Sequence, residues 1–367
     1  GMKRWEHEYK VMGLAPYGRA EYCLDRVEKI IRNHPRRRLE FQNLVGACGT
    51  RVQGKLRKLL AGQRFDNIAA ATQKHFERIV CRWVENAVEE SGVARVAAAG
   101  GLFLNVKCNQ KIRGLDRVED FFVYPACDDG GTPVGAALVA YHRFCQAEGV
   151  KPVKHKLGPI YYGMSYGEED IRRTLEQKGL LGEAEYVGNE EMPGRIAELV
   201  SEGKVVARFD GRLEWGPRAL GNRSILADPR DLRVVRRIND AIKHRDFWMP
   251  FAPSILEERC EEYLVEPRFA PYMIESFDTT EKGVDDLIAA LHPKDLTVRP
   301  QIVRESWNPG YYKVLKEFEN ITGVGGVLNT SFNLHGYPIV GTPELAVWTW
   351  LNSELDGLAI GPYLLTR

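Results

Sequence analysis

The sequence predicts an α/β chain organised as two domains, with a boundary near residue 155. Three observations carry that expectation. Apolar runs of strand length alternate with helical stretches along the chain, the pattern of sheets covered by helices. A polar stretch over 146–158, holding Lys151, Pro152, Lys154 and Lys156, has the composition of a linker. The length of 367 residues suffices for two domains of ordinary size.

In chain order, Ile68, Thr72, Phe76, Ile79, Trp83 and Ala87 recur at helical spacing and predict a long helix over 65–91, ended by Gly92. Residues 95–99 read as a short buried strand running into Gly100-Gly101, and 121–124 as another. Thr132 and Pro133 read as the N-cap and first residue of a helix of small residues reaching about residue 144. Past the linker, helices are expected over 168–178 and 190–202, and strands over 205–209 and 325–328. No internal repeat or low-complexity tract is present.

Composition narrows the function classes. Hydrophobic residues make up 44% and charged residues 28%, enough for a packed core. Lys plus Arg total 51 against 50 Asp plus Glu, a balance that argues against general attraction to nucleic acid or a membrane surface. The seven cysteines are scattered with no C-x-x-C pair, so neither a disulfide framework nor a structural zinc site is expected, and a cytoplasmic location fits. No run approaches the roughly 18 apolar residues of a membrane span. The amino terminus lacks the apolar core of a signal peptide. Gly1 reads as a scar of tag removal, with Met2 open as a natural start. No two histidines lie four apart, so no two-histidine metal site on one helix is expected.

Chemistry concentrates in a few segments. From Arg208 to Arg237 there are eight arginines, and Gly211, Gly216 and Gly221 punctuate the loop after an expected strand. Arg208, Arg218 and Arg223 are therefore candidates to grip phosphate or carboxylate, since a guanidinium offers a planar fork of donors. The alternative is a solvated loop whose arginines pair with Asp210, Glu214, Asp228 and Asp231. Lys243 and Arg245, two apart on a stretch read as extended, would point to one face and reach one polyphosphate; an exposed basic pair beside an aromatic core is the other reading. Asn329, Ser331 and Asn333 follow an apolar strand and suit a binding edge, or simple turn chemistry. Thr342-Pro343-Glu344 reads as a structural helix start. In the first domain, Gly100-Gly101 with Asn105 could let a nucleotide approach the backbone, and Asp128-Asp129 could hold a metal or cap a helix.

Taken in order, Tyr9 to Gly18, Gly100-Gly101 with Leu104-Asn105, Tyr124 to Gly130, Gly211 to Ser224, Lys243 to Ser254 and Leu328 to Asn333 resemble the O-carbamoyltransferases of nodulation-factor and antibiotic biosynthesis. The resemblance implies the second half of an actin/hexokinase-like (RNase H-like) transfer domain over 1–155. A YrdC-like twisted mixed sheet with helices is implied over 156–367. It further implies that carbamoyl phosphate and ATP, with Mg²⁺, form carbamoyl-adenylate, whose carbamoyl group passes to a small-molecule hydroxyl acceptor with help from an iron-type metal.

By the same resemblance Lys243, Arg245 and Arg218 neutralise phosphate charge, while Asn329 and Ser331 orient the carbamate or α-phosphate. Arg208, Arg223 and Asn333 join Gly100, Gly101 and Asn105 on the nucleotide, and Asp128 is the metal's carboxylate. Two departures stand out. The family's His-x-x-x-His pair, which completes the metal site from a longer amino-terminal part, is not in this chain, so a separate N-terminal subunit or homo-oligomer is expected. Met249 stands where many relatives carry Arg, so another arginine compensates or nucleotide affinity is weaker. The rival readings are an inactive nucleotide-binding or scaffolding remnant and a threonylcarbamoyl-adenylate synthase.

Overall fold

A computed structural model describes residues 7–154, 156–243 and 245–367; Gly1 and Met2, on which the reading of the amino terminus rests, lie outside the described residues. The contacts divide the chain into two compact units. The first comprises the chain up to Asp129 with 247–249 and 274–276, and the second comprises the remainder.

The first unit is organised on the 27-residue helix Phe65–Ser91, which ends where Gly92 adopts φ 68° and returns its N–H to the Val88 carbonyl. The helix has long stretches without Gly or Pro, and buries Ala69, Ala71, Ile79, Val80 and Val84. A short antiparallel pair, β1 (Ile31–Asn33) and β2 (Phe41–Asn43), accompanies it. The expected strands near 95 and 121 form as β3 (Arg95–Ala98) and β4 (Asp120–Val123), paired in parallel with Val96 opposite Phe121. The helix Val106–Arg113 lies between them in the chain, as a parallel pair requires a crossover. Asn105 caps that helix by accepting the Cys108 N–H at 3.0 Å. Its amide also exchanges two hydrogen bonds with Gln73 of the long helix, at 3.0 and 2.9 Å.

The second unit is built on one eight-stranded mixed sheet. Its strands are β5 (Glu185–Tyr186), β6 (Val206–Phe209), β7 (Arg223–Ala227), β8 (Ala252–Leu256), β9 (Gln301–Val303), β10 (Gly326–Ser331), β11 (Gly357–Ile360) and β12 (Tyr363–Thr366). The order is β5-β12-β11-β6-β7-β10-β8-β9, with β11/β6 and β8/β9 parallel and the other pairs antiparallel. Helices cover both faces, which explains why the central strands read as apolar runs rather than as alternations. Ile196, Val200, Val314 and Phe318, from the helices Met192–Ser201 and Pro309–Thr322, pack on Val206, Leu226 and Val327. Leu175, Ile238 and Val347, from Glu168–Gln177, Leu232–Ile238 and Pro343–Leu351, pack on Ala207, Ile225 and Leu328. Burying each such aliphatic side chain stabilises by about 1.5–3 kcal/mol relative to exposing it.

The strand expected over 325–328 runs on to Ser331. Asn329 is paired on both sides, opposite Leu226 of β7 and Ala252 of β8, and Ser331 continues the strand through β7 alone, opposite Ser224. Thr342 caps its helix by accepting the Leu345 N–H, as its sequence context indicates. The helix Thr132–Ala147 leaves Leu138, Val139 and Phe144 exposed. Among the described residues no helix is long and apolar enough to cross a membrane.

A candidate anion-binding site

β6 ends at Phe209, and the chain returns to the sheet at Arg223, leaving residues 210–222 to fold as a loop between antiparallel neighbours. A buried carboxylate organises this loop. Glu214 Oε1 accepts the backbone N–H groups of Leu220, Asn222 and Arg223 at 2.8, 2.7 and 3.1 Å. Two buried arginines complete the scaffold. Arg223 donates to the carbonyls of Asp210, Asn222 and Gly211 at 2.7, 2.8 and 3.2 Å, with its guanidinium 3.7 Å from the Phe209 ring centre. Burial pushes its pKa down to about 10. Arg208 donates to the Gly221 carbonyl at 2.8 Å, to Asn222 Oδ1 at 3.0 Å and to Asp210 at 2.5 Å. Both side chains thus bind the loop's own backbone and polar groups.

The loop presents Arg218 to a cavity of about 80 Å³, which is also lined by Arg245, Phe251, Arg299, Asn329, Thr330 and Ser331. No aspartate or glutamate lines it among the described residues. Arg245 lies with its guanidinium 5.3 Å from the Phe251 ring centre. Arg299 holds a buried Nε with no hydrogen-bond partner. Burial, and then the positive charges of Arg218 and Arg245, hold its guanidinium well below the usual arginine range. Three cations around a small cavity, disfavoured by one another, form an environment that an anion relieves.

Lys243 does not join that lining. It ends a π-helical turn, Asn239–Lys243, rather than the extended strand on which the expected pairing with Arg245 rests. Its buried Nζ donates to the Ser331 carbonyl at 2.6 Å and to Ser331 Oγ at 3.1 Å. It also donates to the Asn333 carbonyl at 3.0 Å and to Asn333 Oδ1 at 2.7 Å. Burial, then the charge of Arg245, lowers its pKa well below the ordinary lysine value. Ser331 Oγ donates to Asn333 Oδ1 at 2.6 Å, and Asn333 Nδ2 donates to the Tyr337 carbonyl at 2.7 Å. These bonds fix the end of β10 beside the cavity.

Asn329, from the middle of β10, is 2% exposed. Its Nδ2 donates to Ser254 Oγ at 2.9 Å and to the Ala219 carbonyl at 3.2 Å. Ser254 Oγ in turn donates to Gln301 Oε1 at 2.8 Å, and Gln301 Nε2 donates to the Leu220 carbonyl at 2.8 Å. Asn329 Oδ1 is buried and without a hydrogen-bond partner.

Of the expected site residues, Arg218, Arg245, Asn329 and Ser331 come together; Lys243 and Asn333 buttress them, and Arg208 and Arg223 hold the loop. In the first unit, Gly100 takes φ 115° and donates its N–H to the Cys127 carbonyl at 2.5 Å. The space where side chains would stand at Gly100 and Gly101 is open, so backbone there is accessible. Asp128 precedes a 3₁₀ turn, Asp129–Gly131. No group of three or more His, Cys, Asp or Glu side chains that could hold a metal ion exists among the described residues. A catalytic metal needs about three protein ligands, so these residues do not by themselves fit one. The sequence offers Glu214 only as a partner for the loop's arginines and does not point to Arg299. Arg299 lies in an irregular segment far from the arginine-rich loop, its one local signal being a cation between Val298 and Pro300. The role of Glu214 has no local signal, because its partners are backbone groups brought to it by loop closure.

The fold and site define an α/β protein with a small cavity lined by arginines. Comparisons with known proteins sharpen this. Residues 1–138 match the family model described as the carbamoyltransferase N-terminus, and residues 197–367 match that of the carbamoyltransferase C-terminus. The chain belongs to the carbamoyltransferase family. It is 34% identical over 367 residues to nodulation protein NolNO of Sinorhizobium fredii, covering 98% of this chain and 53% of that protein. Nodulation protein NolO of Bradyrhizobium diazoefficiens is 34% identical over 377 residues, covering 98% of this chain and 66% of that one. An uncharacterised protein of Methanocaldococcus jannaschii is 38% identical over 82% of this chain and 49% of its own length. The chain therefore spans about half to two-thirds of the length of these relatives. A solved structure, full-length HypF in its phosphate- and nucleotide-bound form, is similar over 69% of this chain and 36% of that chain, at 16% identity and a TM-score of 0.33.

Proposed function

We propose that this chain forms carbamoyl-adenylate from carbamoyl phosphate and ATP, on the way to carbamoylating a hydroxyl of a small-molecule acceptor. The observation that carries the reading is the cavity with Arg218, Arg245 and Arg299 around it and Asn329 within it. Water cleaves carbamoyl phosphate to carbamate and phosphate; a carbamate oxygen then attacks the α-phosphorus of ATP, and pyrophosphate leaves. Negative charge on phosphoryl oxygens is present throughout, and fixed guanidinium donors stabilise it without reorganising at the moment of reaction. Arg299 supplies a guanidinium that Met249 cannot. Mg²⁺ would accompany the nucleotide's phosphates, and Lys243 acts by holding Ser331 and Asn333 in place. Gly100 and Gly101 offer open backbone for an adenylate in the later transfer step. Matches to both the N-terminal and the C-terminal family models disfavour an inactive remnant.

The test is pyrophosphate release from ATP and Mg²⁺ with and without carbamoyl phosphate. Release is expected only with carbamoyl phosphate, and an Arg245→Ala variant is expected to lose at least about tenfold in rate, the share of one charge-assisted contact. Release that ignores carbamoyl phosphate, or that survives the substitution unchanged, would sink the reading.

A further inference from the structure

Asn329 Oδ1 is the unusual atom of this cavity, because the bonds around it leave no freedom in how the amide is turned. The Leu220 carbonyl can only accept, so Gln301 must present its Nε2 there and its Oε1 to Ser254. Ser254 Oγ spends its proton on Gln301 and must accept from Asn329, whose Nδ2 also faces the Ala219 carbonyl. Turning the Asn329 amide over would set its oxygen against the Ala219 carbonyl and against a hydroxyl with no proton left to give. The Oδ1 atom is thus held as an acceptor, buried and unpartnered, in a residue 2% exposed that lines the cavity. A buried acceptor without a donor is costly, and a ligand N–H repairs it where a methyl group cannot.

Resting on the reading of the cavity as an acyl phosphate site, we propose that Asn329 is the residue that selects the acyl group, accepting an N–H of the carbamoyl –NH₂. Carbamoyl phosphate and acetyl phosphate share charge and shape and differ by –NH₂ against –CH₃. The arginines grip the phosphate of either and do not tell them apart. Discrimination falls to Asn329, because acetyl phosphate leaves Oδ1 unpaired in a pocket from which water has been displaced.

The experiment is equilibrium binding by calorimetry in the cold, with the full chain and freshly dissolved carbamoyl phosphate, acetyl phosphate and inorganic phosphate. The unaltered chain is expected to prefer carbamoyl over acetyl phosphate by roughly 5- to 150-fold, the cost of leaving one buried acceptor unpaired. In Asn329→Ala the ratio is expected to fall to about one through loss of carbamoyl phosphate affinity, with acetyl phosphate affinity kept. Equal affinities in the unaltered chain, a ratio read without any variant, overturn the proposal and leave the anion site standing. A preference that survives in Asn329→Ala also overturns it. Binding of none of the three ligands overturns the reading of the site itself.

Discussion

Replacing Arg299 by methionine is expected to weaken phosphate-ester binding by roughly 30- to 140-fold without destabilising the free protein. A hydrogen bond between a charged donor and a phosphoryl oxygen is worth about 2–3 kcal/mol, and every 1.4 kcal/mol is about a factor of ten in Kd. The stability expectation has the opposite sign. Burial and the charges of Arg218 and Arg245 lower the pKa of Arg299, so its charged form is disfavoured in the folded state relative to the unfolded chain. At all pH values below that lowered pKa the penalty is fully present, and a neutral side chain of similar reach removes it. Calorimetry with inorganic phosphate and ATP, beside thermal denaturation without ligand, reads both halves. Unchanged affinity would show that Arg299 serves the fold and not the ligand. A large fall in Tm would show that its buried stem matters more than its charge.

Gly221→Ala is expected to unfold or strongly destabilise the second unit. Gly221 sits at φ 111°, which L side chains rarely adopt, and a Cβ there would stand 2.3 Å from Tyr311 Cδ1 and 2.5 Å from its Cγ. Tyr311, on the helix Pro309–Thr322, is fully buried in the core and has no open space to swing into. Backbone strain and overpacking together cost upwards of about 3 kcal/mol. In a unit of this size that is a fall in Tm of about 6–12 °C. Because the Gly221 carbonyl accepts from Arg208 and its N–H donates to Ser224 Oγ, the same change displaces the loop that carries Arg218. Gly211→Ala makes the comparison, since its nearest contact is Asn222 Nδ2 at 3.1 Å, a side chain that can give. Its loss is expected to be about 1 kcal/mol, that of a left-handed non-glycine residue. Equal melting temperatures for the two variants would refute the steric argument.

The α/β class, the long helix over 65–91 with its glycine stop, the separate strands near 95 and 121, the strand at 205–209 and the helices beginning near 132, 168, 190 and 343 could be read from residue order, whereas helices such as Val106–Arg113 and Pro309–Thr322 could not. Those features rest on periodicity, capping and chain-breaking residues, which act within a few positions along the chain. The arginine-rich loop is likewise legible as a cluster of cations after a strand. Residue order could not sort its arginines, because Arg208, Arg218 and Arg223 look alike as a list. Strand alternation and loop closure aim the first and third at backbone carbonyls and leave the second facing the cavity. Lys243 is the same lesson: its two-residue spacing from Arg245 means one face only on a strand, and the chain there closes a π-helical turn. Arg299, Glu214 and the unpartnered oxygen of Asn329 depended wholly on the tertiary fold. Each owes its character to groups remote in the chain, and burial, hydrogen-bond pairing and like-charge crowding exist only once the sheet and its loops have brought those groups together.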